Sequence, residues 1–232
     1  MQPETAMIFA AGFGTRMGDL TKTAPKPLVP VLGKPMINHT LEILADAGIH
    51  TVVVNTHYFA DQLETHLQKY PNLTTIREEP TVLETGGGLK NALPIIGNAP
   101  VYTLNCDAVW FGDNPVTTLA KHWKPDEMDG LLLLLKQPDT LGYNGHGDFF
   151  LNKNNRLERK GKKPSAPYVY SGVQIIKTDR LAEISELSFS ISVLWEKMIA
   201  DKRLSGVLYN GSWVDVGHPE GISTAERKAR NV

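Results

Sequence analysis

The sequence predicts an α/β fold, a mostly parallel mixed sheet with helices on both faces, and three observations carry that prediction. Over residues 1–136, short apolar runs rich in β-branched residues alternate with amphipathic segments, the pattern of parallel βαβ units joined by right-handed crossovers. The runs are apolar without alternation, as strands covered on both faces are. After Lys136 the pattern breaks into short strands and glycine-rich turns, which adds a small β insertion and closing elements to the same sheet.

Each element has its own signal. Residues 7–11 form an apolar run that empties into glycines, the start of a βα unit. Ile37, Leu41, Leu44 and Gly48 recur at i, i+4, i+7 and i+11, so residues 36–47 read as a helix closed by a glycine. Residues 51–55 predict the next strand, and residues 61–68 a helix with Leu63 and Leu67 inward. Further strands are expected at 74–77, 101–104 and 131–135, with helices near 88–93 and 115–122 between them. Beyond these, residues 142–147 carry three glycines, and residues 152–155 read as a turn between two short strands. Residues 156–163 set five basic side chains against one acidic one. A long strand is expected at 168–177 and helices at 192–200 and 219–229. No repeat, low-complexity tract or clear linker divides the chain, so one domain over residues 1–232 is expected.

Composition narrows the function classes. The chain carries 24 Lys plus Arg against 25 Asp plus Glu, a formal charge of −1, which removes the electrostatic drive of a general nucleic-acid binder. Its one cysteine, Cys106, excludes an intrachain disulfide framework and suits a reducing cytoplasm. No apolar run approaches the roughly 18 residues that a membrane span needs, and the N-terminus lacks a secretory pattern. A soluble, cytoplasmic protein is expected. The seven histidines show no metal-binding spacing. His57 and His218 read as packing or turn residues, and Trp195 and Met198 as core.

Two segments carry chemistry. The first strand ends in Ala10-Ala11-Gly12-Phe13-Gly14-Thr15-Arg16-Met17-Gly18, where backbone N–H groups can approach an anion unobstructed. The spacing is G-x-G-x-x-x-G with an arginine inside, unlike the dinucleotide fingerprint G-x-G-x-x-G, and no Walker A pattern occurs. Close behind, Pro25-Lys26-Pro27 clamps a lysine between two prolines, a rigid mount for a phosphate ligand. Taken alone, either segment is also compatible with a tight turn or solvated bend.

Together with later blocks they are more specific. A-A-G-x-G-T-R-M followed by P-K-P-L-x-P-V-x-G-K-P resembles the signature of the sugar-1-phosphate nucleotidyltransferases. Glu84-Thr85-Gly86-Gly87-Gly88, Asn105-Cys106-Asp107, Tyr170-Ser171-Gly172-Val173 and Trp213-Val214-Asp215-Val216-Gly217 continue it in family order. The resemblance implies a Rossmann-like nucleotidyltransferase fold and Mg²⁺-dependent attack of a sugar-1-phosphate oxygen on the α-phosphorus of a nucleoside triphosphate, releasing pyrophosphate. An anionic nucleophile needs no strong base, only charge neutralisation and alignment.

Carried over residue by residue, Asp107 and Asp215 would share the metal, and Arg16 and Lys26 would be the catalytic cations on the β,γ- and α-phosphates. Ala11, Gly12, Gly14 and Thr15 would meet the nucleotide through the backbone. Glu84 and Thr85 would form a rim at which Gly86 and Gly87 let backbone approach base and ribose. Asn105, Asp148, Ser171 and Gly172 would line the sugar side, although Asp148 reads equally as a turn carboxylate. Residues 1–136 would thus mainly bind nucleotide and residues 137–232 mainly sugar.

Within the family, the Leu83–Gly88 run and Gly-His-Gly-Asp-Phe at 145–149 favour UTP and N-acetylmuramate 1-phosphate, a step of peptidoglycan recycling. Transfer of guanylyl to mannose 1-phosphate or of a nucleotide to heptose 1-phosphate is the alternative, and a nucleotide-sugar sensor is the non-enzymatic one. Neither nucleic acid nor membrane is an expected partner; a monomer is compatible with the sequence. The family's second arginine after Met17 is replaced by Gly18-Asp19. The basic run at 156–163 is either a receiver for the lactyl carboxylate of N-acetylmuramate or a solvated loop.

Overall fold

Alternating side chains place the first strand at the centre of the molecule. In the computed structural model, which describes residues 2–231, β1 (Thr5–Phe9) turns Ala6 and Ile8 to one face and Met7 to the other, all fully buried. Two 3-10 segments, Thr15–Thr21 and Lys26–Leu28, lead to a small hairpin of β2 (Pro30–Val31) and β3 (Lys34–Pro35). Then follow α1 (Met36–Asp46), β4 (Thr51–Thr56), α2 (Ala60–Leu67), β5 (Leu73–Arg77) and α3 (Glu84–Ile96). The middle of the chain holds β6 (Val101–Asn105), β7 (Ala108–Phe111), α4 (Pro115–His122) and β8 (Gly130–Lys136). Next come β9 (Thr140–Leu141), β10 (Phe149–Leu151), β11 (Leu157–Arg159) and β12 (Tyr168–Ile176). The chain closes with α5 (Ser192–Ala200), β13 (Leu204–Leu208), β14 (Ser212–Asp215) and α6 (Pro219–Ala229).

Nine strands form one mixed sheet. β5, β4, β1 and β6 lie side by side and parallel. β12 runs antiparallel to both β6 and β8, and β13 adds to β8 in parallel. The β10–β11 hairpin, turning at Asn152–Asn155 as the sequence predicts, attaches to the start of β12. Ala6, Ile8, Val52 and Val54 pack under α1, α2 and α4 through Ile37, Leu44, Leu63, Leu67, Val116 and Leu119. On the other face Met7 and Val53 meet α3 and α5 through Leu89, Ala92, Leu194, Trp195 and Met198. Helices therefore cover both faces, as the apolar strands require. No helix among the described residues is long and apolar enough to cross a membrane.

A second, three-stranded sheet of order β7-β14-β9 positions the chemistry. Its apolar face, Val109, Val214 and Val216, closes a separate core with Met17, Val29, Val31, Met36 and Ala225. β14 pairs antiparallel with β7 so that Asp215 stands opposite Ala108, next in sequence to Asp107. Strands β7, β13 and β14 carry no element-level signal that the sequence reading used. The helix expected near 88–93 also starts earlier, at Glu84. Its glycines are poor helix formers, but they turn where a neighbouring loop leaves no space for side chains (below).

Candidate active site

The C-terminal ends of β1, β4 and β6 open into a cavity of about 290 Å³ that the glycine loop, Lys26, Asn55, Asp107 and Gly217 help to line. A crevice at the carboxyl ends of parallel strands is where α/β sheets present ligands. Loop geometry explains the sequence. Gly14 takes φ 65°, and a Cβ there would lie 2.8 Å from the Lys26 Cβ, so the turn and the proline-clamped lysine pack backbone to side chain. Thr21 Oγ1 and the Met17 amide both donate to the Gly14 carbonyl, which tightens the loop into the 3-10 segment. Gly12 faces open space. Ala11, Thr15 and Arg16 line the cavity as well.

Four charged groups converge at its edge. Lys26 Nζ lies 2.5 Å from Asp107 Oδ2. The Arg16 guanidinium, mostly exposed, reaches to 3.5 Å from Asp107 and 3.8 Å from Asp215. The Gly217 amide donates to Asp215 Oδ1 at 2.7 Å. Burial works against the Asp107 charge, but Lys26 and then Arg16 hold its carboxyl below the usual range. Burial, and after it the neighbouring Asp107 charge, push the Asp215 carboxyl up. Cys106, next in sequence to Asp107, is buried, and its thiol is pushed up to about 12 by that burial, so it is packing rather than a nucleophile.

Gly217 makes the convergence possible. A Cβ on it would lie 2.8 Å from Asp215 Oδ1, 2.9 Å from Arg16 Nη2 and 3.0 Å from Asp107 Oδ2. The Trp-Val-Asp-Val-Gly block contained this residue, yet its role is visible only once β14 is folded against β7. Gly172 does similar work for Asn105. It sits at φ 86° in the β12 irregularity between Tyr170 and Gln174, with the Asn105 side chain against its Cα, so Asn105 is directed at the cavity.

Several expected contacts are placed elsewhere. Gly86 and Gly87 do not line the cavity: both amides donate to the Phe189 carbonyl, at 2.8 and 3.0 Å, and side chains there would collide with Phe189 and Leu187. Their close backbone approach is to residues 187–189, while Glu84 and Thr85 do reach the cavity rim. Ser171 is buried. Its hydroxyl accepts from the Val173 amide and its carbonyl from Trp213 Nε1, and it is not among the residues that line the cavity. Asp148 lies outside the cavity too; its carboxylate accepts the Tyr170 amide at 2.9 Å and fixes the start of β12.

Three of the five basic side chains at 156–163 are likewise engaged by neighbouring groups. Arg156 donates to Ser205 Oγ and the Glu127 carbonyl. Arg159 lies over the Phe149 and Trp195 rings and 3.6 Å from Glu196, and Lys163 pairs with Glu158 over Phe150. His218 Nε2 lies 2.6 Å from the Gly142 carbonyl oxygen, and its Nδ1 lies 3.0 Å from the Glu220 carboxylate and 3.2 Å from the Gly221 amide at the start of α6. His57, Trp195 and Met198 are packed as expected.

Fold and site together set a charged cleft at the carboxyl ends of parallel strands, and comparison with known proteins gives the family. The family model described as nucleotidyl transferase matches residues 5–232, so the chain belongs to that family and is a sugar-1-phosphate nucleotidyltransferase. An N-acetylmuramate alpha-1-phosphate uridylyltransferase of Caulobacter vibrioides is 40% identical over 97% of each chain. A mannose-1-phosphate guanyltransferase of Aspergillus fumigatus is 32% identical over 94% of this chain and 62% of its own. A UDP-glucose pyrophosphorylase structure solved with UDP-glucose superposes with a TM-score of 0.82 over 99% of this chain and all of its own, at 17% identity, and shares the fold.

Proposed function

We propose that the enzyme transfers a uridylyl group from UTP to N-acetylmuramate 1-phosphate, giving UDP-N-acetylmuramate and pyrophosphate. The observation that carries the chemistry is the meeting of Arg16, Lys26, Asp107 and Asp215 at one edge of the cleft. The choice of substrates leans on the 40% identical relative that matches end to end. Guanylyl transfer to mannose 1-phosphate, the activity named for the shorter match, is the second reading. Residues 1–136 form mainly the nucleotide side of the site and residues 137–232 mainly the sugar side and closing strands. Such a reaction returns a salvaged cell-wall sugar to use and belongs in the cytoplasm.

Mg²⁺ fits the donor chemistry. Asp107 and Asp215 offer hard carboxylate oxygens from two different strand ends, and no third His, Cys, Asp or Glu joins them among the described residues. Mg²⁺ takes one or two carboxylates and fills its shell with phosphate oxygens and water. Bound there, it would neutralise phosphate charge at the reacting centre. The residues do the rest. Lys26 holds the α-phosphate from its rigid mount, Arg16 draws off the developing pyrophosphate charge, and the sugar phosphate supplies its own anionic oxygen. Asn105 orients the acceptor in line with the leaving group.

The test is a matrix of the four nucleoside triphosphates and dTTP against several sugar 1-phosphates, scored by pyrophosphate release. The expected maximum of kcat/KM is UTP with N-acetylmuramate 1-phosphate. A maximum at GTP with mannose 1-phosphate transfers the conclusion to the second reading.

A further inference from the structure

Beneath the cleft lies a carboxylate that the proposed chemistry does not use. Glu78 is fully buried, just beyond β5. Its Oε1 accepts from Asn55 Nδ2 at 2.8 Å and its Oε2 from the Leu83 amide at 2.7 Å. Asn55 in turn accepts the Ala10 amide at 2.7 Å and lines the cavity floor. The run Ala10–Asn55–Glu78–Leu83 therefore crosses under the site. At one end it holds the residue from which the glycine loop departs. At the other it holds the residue before Glu84 and Thr85 on the opposite rim.

Gly88, the third glycine of its run, belongs to the same arrangement. A Cβ there would lie 2.7 Å from Glu78 Oε1 and 2.9 Å from Asn55 Nδ2. The backbone of Glu78 is fixed as well: its amide donates to the Thr56 carbonyl, and His57 Nδ1 lies 2.8 Å from its own carbonyl.

We infer that Glu78 is a positioning residue for the nucleoside triphosphate, acting through Asn55 and Leu83 to hold the glycine loop and the facing rim at one spacing. A buried charge is a poor way to add stability, since neutral packing does as well or better. What a carboxylate adds is two acceptors and no donor. With it in place, Asn55 has to present its NH₂ to Glu78 and its oxygen to Ala10, so only one orientation of the floor is satisfied. A glutamine at this position brings one acceptor and leaves either Asn55 or Leu83 facing a second donor. Asn105 and Gly172, on the sugar side, pack against each other and take no part in these hydrogen bonds.

The inference rests on the nucleotidyl-transfer reading, so wild-type turnover is measured first; if no triphosphate is used, that reading fails and not this one. With an active wild type, Glu78→Gln is expected to raise KM for the triphosphate roughly tenfold, the scale of one buried polar mismatch. KM for the sugar phosphate should stay within about twofold. Glu78→Asp, which keeps both acceptors but shortens their reach by a methylene, takes its place if Glu78→Gln does not fold, with the same split expected. A purely structural role would lower the melting temperature and leave both KM values alone. That result, or an equal rise in both, overturns the assignment.

Discussion

At Gly217 a single methyl group would stand within 3.0 Å of Asp215, Arg16 and Asp107 together. Its φ is not in the left-handed region, so alanine there is a local crowding and not a backbone strain. Gly217→Ala is expected to keep its melting temperature while kcat falls on the order of 100-fold, because displacements near 1 Å misalign reacting groups. A normal kcat in that variant would remove the crowded centre from the mechanism. At this scale the sequence was partly legible. Asp107, Asp215, Arg16 and Lys26 could be named because each sits in a block that carries the family resemblance. Asn55 and Glu78 could not, since their partners lie 45 and 23 residues apart and only the parallel register of β1, β4 and β5 brings them together.

Helix α3 shows where reasoning by element failed. The sequence places the start of this helix near residue 88, and the family resemblance implies that Gly86 and Gly87 bring backbone to base and ribose. They are helical because the segment at 187–189 runs directly across them and its Phe189 carbonyl accepts the first amides of the helix. A contact a hundred residues distant leaves no local trace. Gly87→Ala should therefore act as overpacking, shifting the urea midpoint by an amount equivalent to about 1–3 kcal/mol. KM for both substrates should hold in the folded variant. A raised triphosphate KM at unchanged stability would instead assign Gly87 to the ligand. The regular elements were easier. The predicted helices at 192–200 and 219–229 coincide with α5 and α6, and the proline at the start of α6 is a local signal.

Across the whole molecule, β12 ties the parallel strands to the later ones by pairing with β6 and β8 at once. The composition break after Lys136 marked the change of strand direction but not this shared strand. Asp129 fastens the outer end of the arrangement: it accepts from Lys177 at the end of β12 and from Arg203 at the start of β13, both at 2.8 Å. Burial opposes its charge, yet the hydrogen bonds from Arg203 and Lys177 prevail and hold the carboxyl below its usual value. A depressed carboxyl contributes stability that is present above the unfolded pKa, near 3.9, and lost as pH falls through the folded value. Asp129→Ala should cost about 1.5–3 kcal/mol in urea unfolding at pH 7. The gap from wild type should narrow below roughly pH 4. A gap that persists unchanged into acid would mean that packing, not charge, is what Asp129 supplies.

The charged edge of the cleft is formally balanced, with Lys26 and Arg16 set against Asp107 and Asp215. It works as an ion exchanger already loaded with its own counter-ions. A stray phosphate or carboxylate has to compete with Asp107 for Lys26, so the resting site is a weak anion trap. On the proposed reading, only a ligand that satisfies both cations and brings a divalent metal to both carboxylates would exchange the whole set at once. Removing one partner breaks that protection: Asp107→Asn should be inactive and yet bind pyrophosphate more tightly than wild type in calorimetry without divalent cations. Weaker binding by the variant would show that the carboxylate guards nothing.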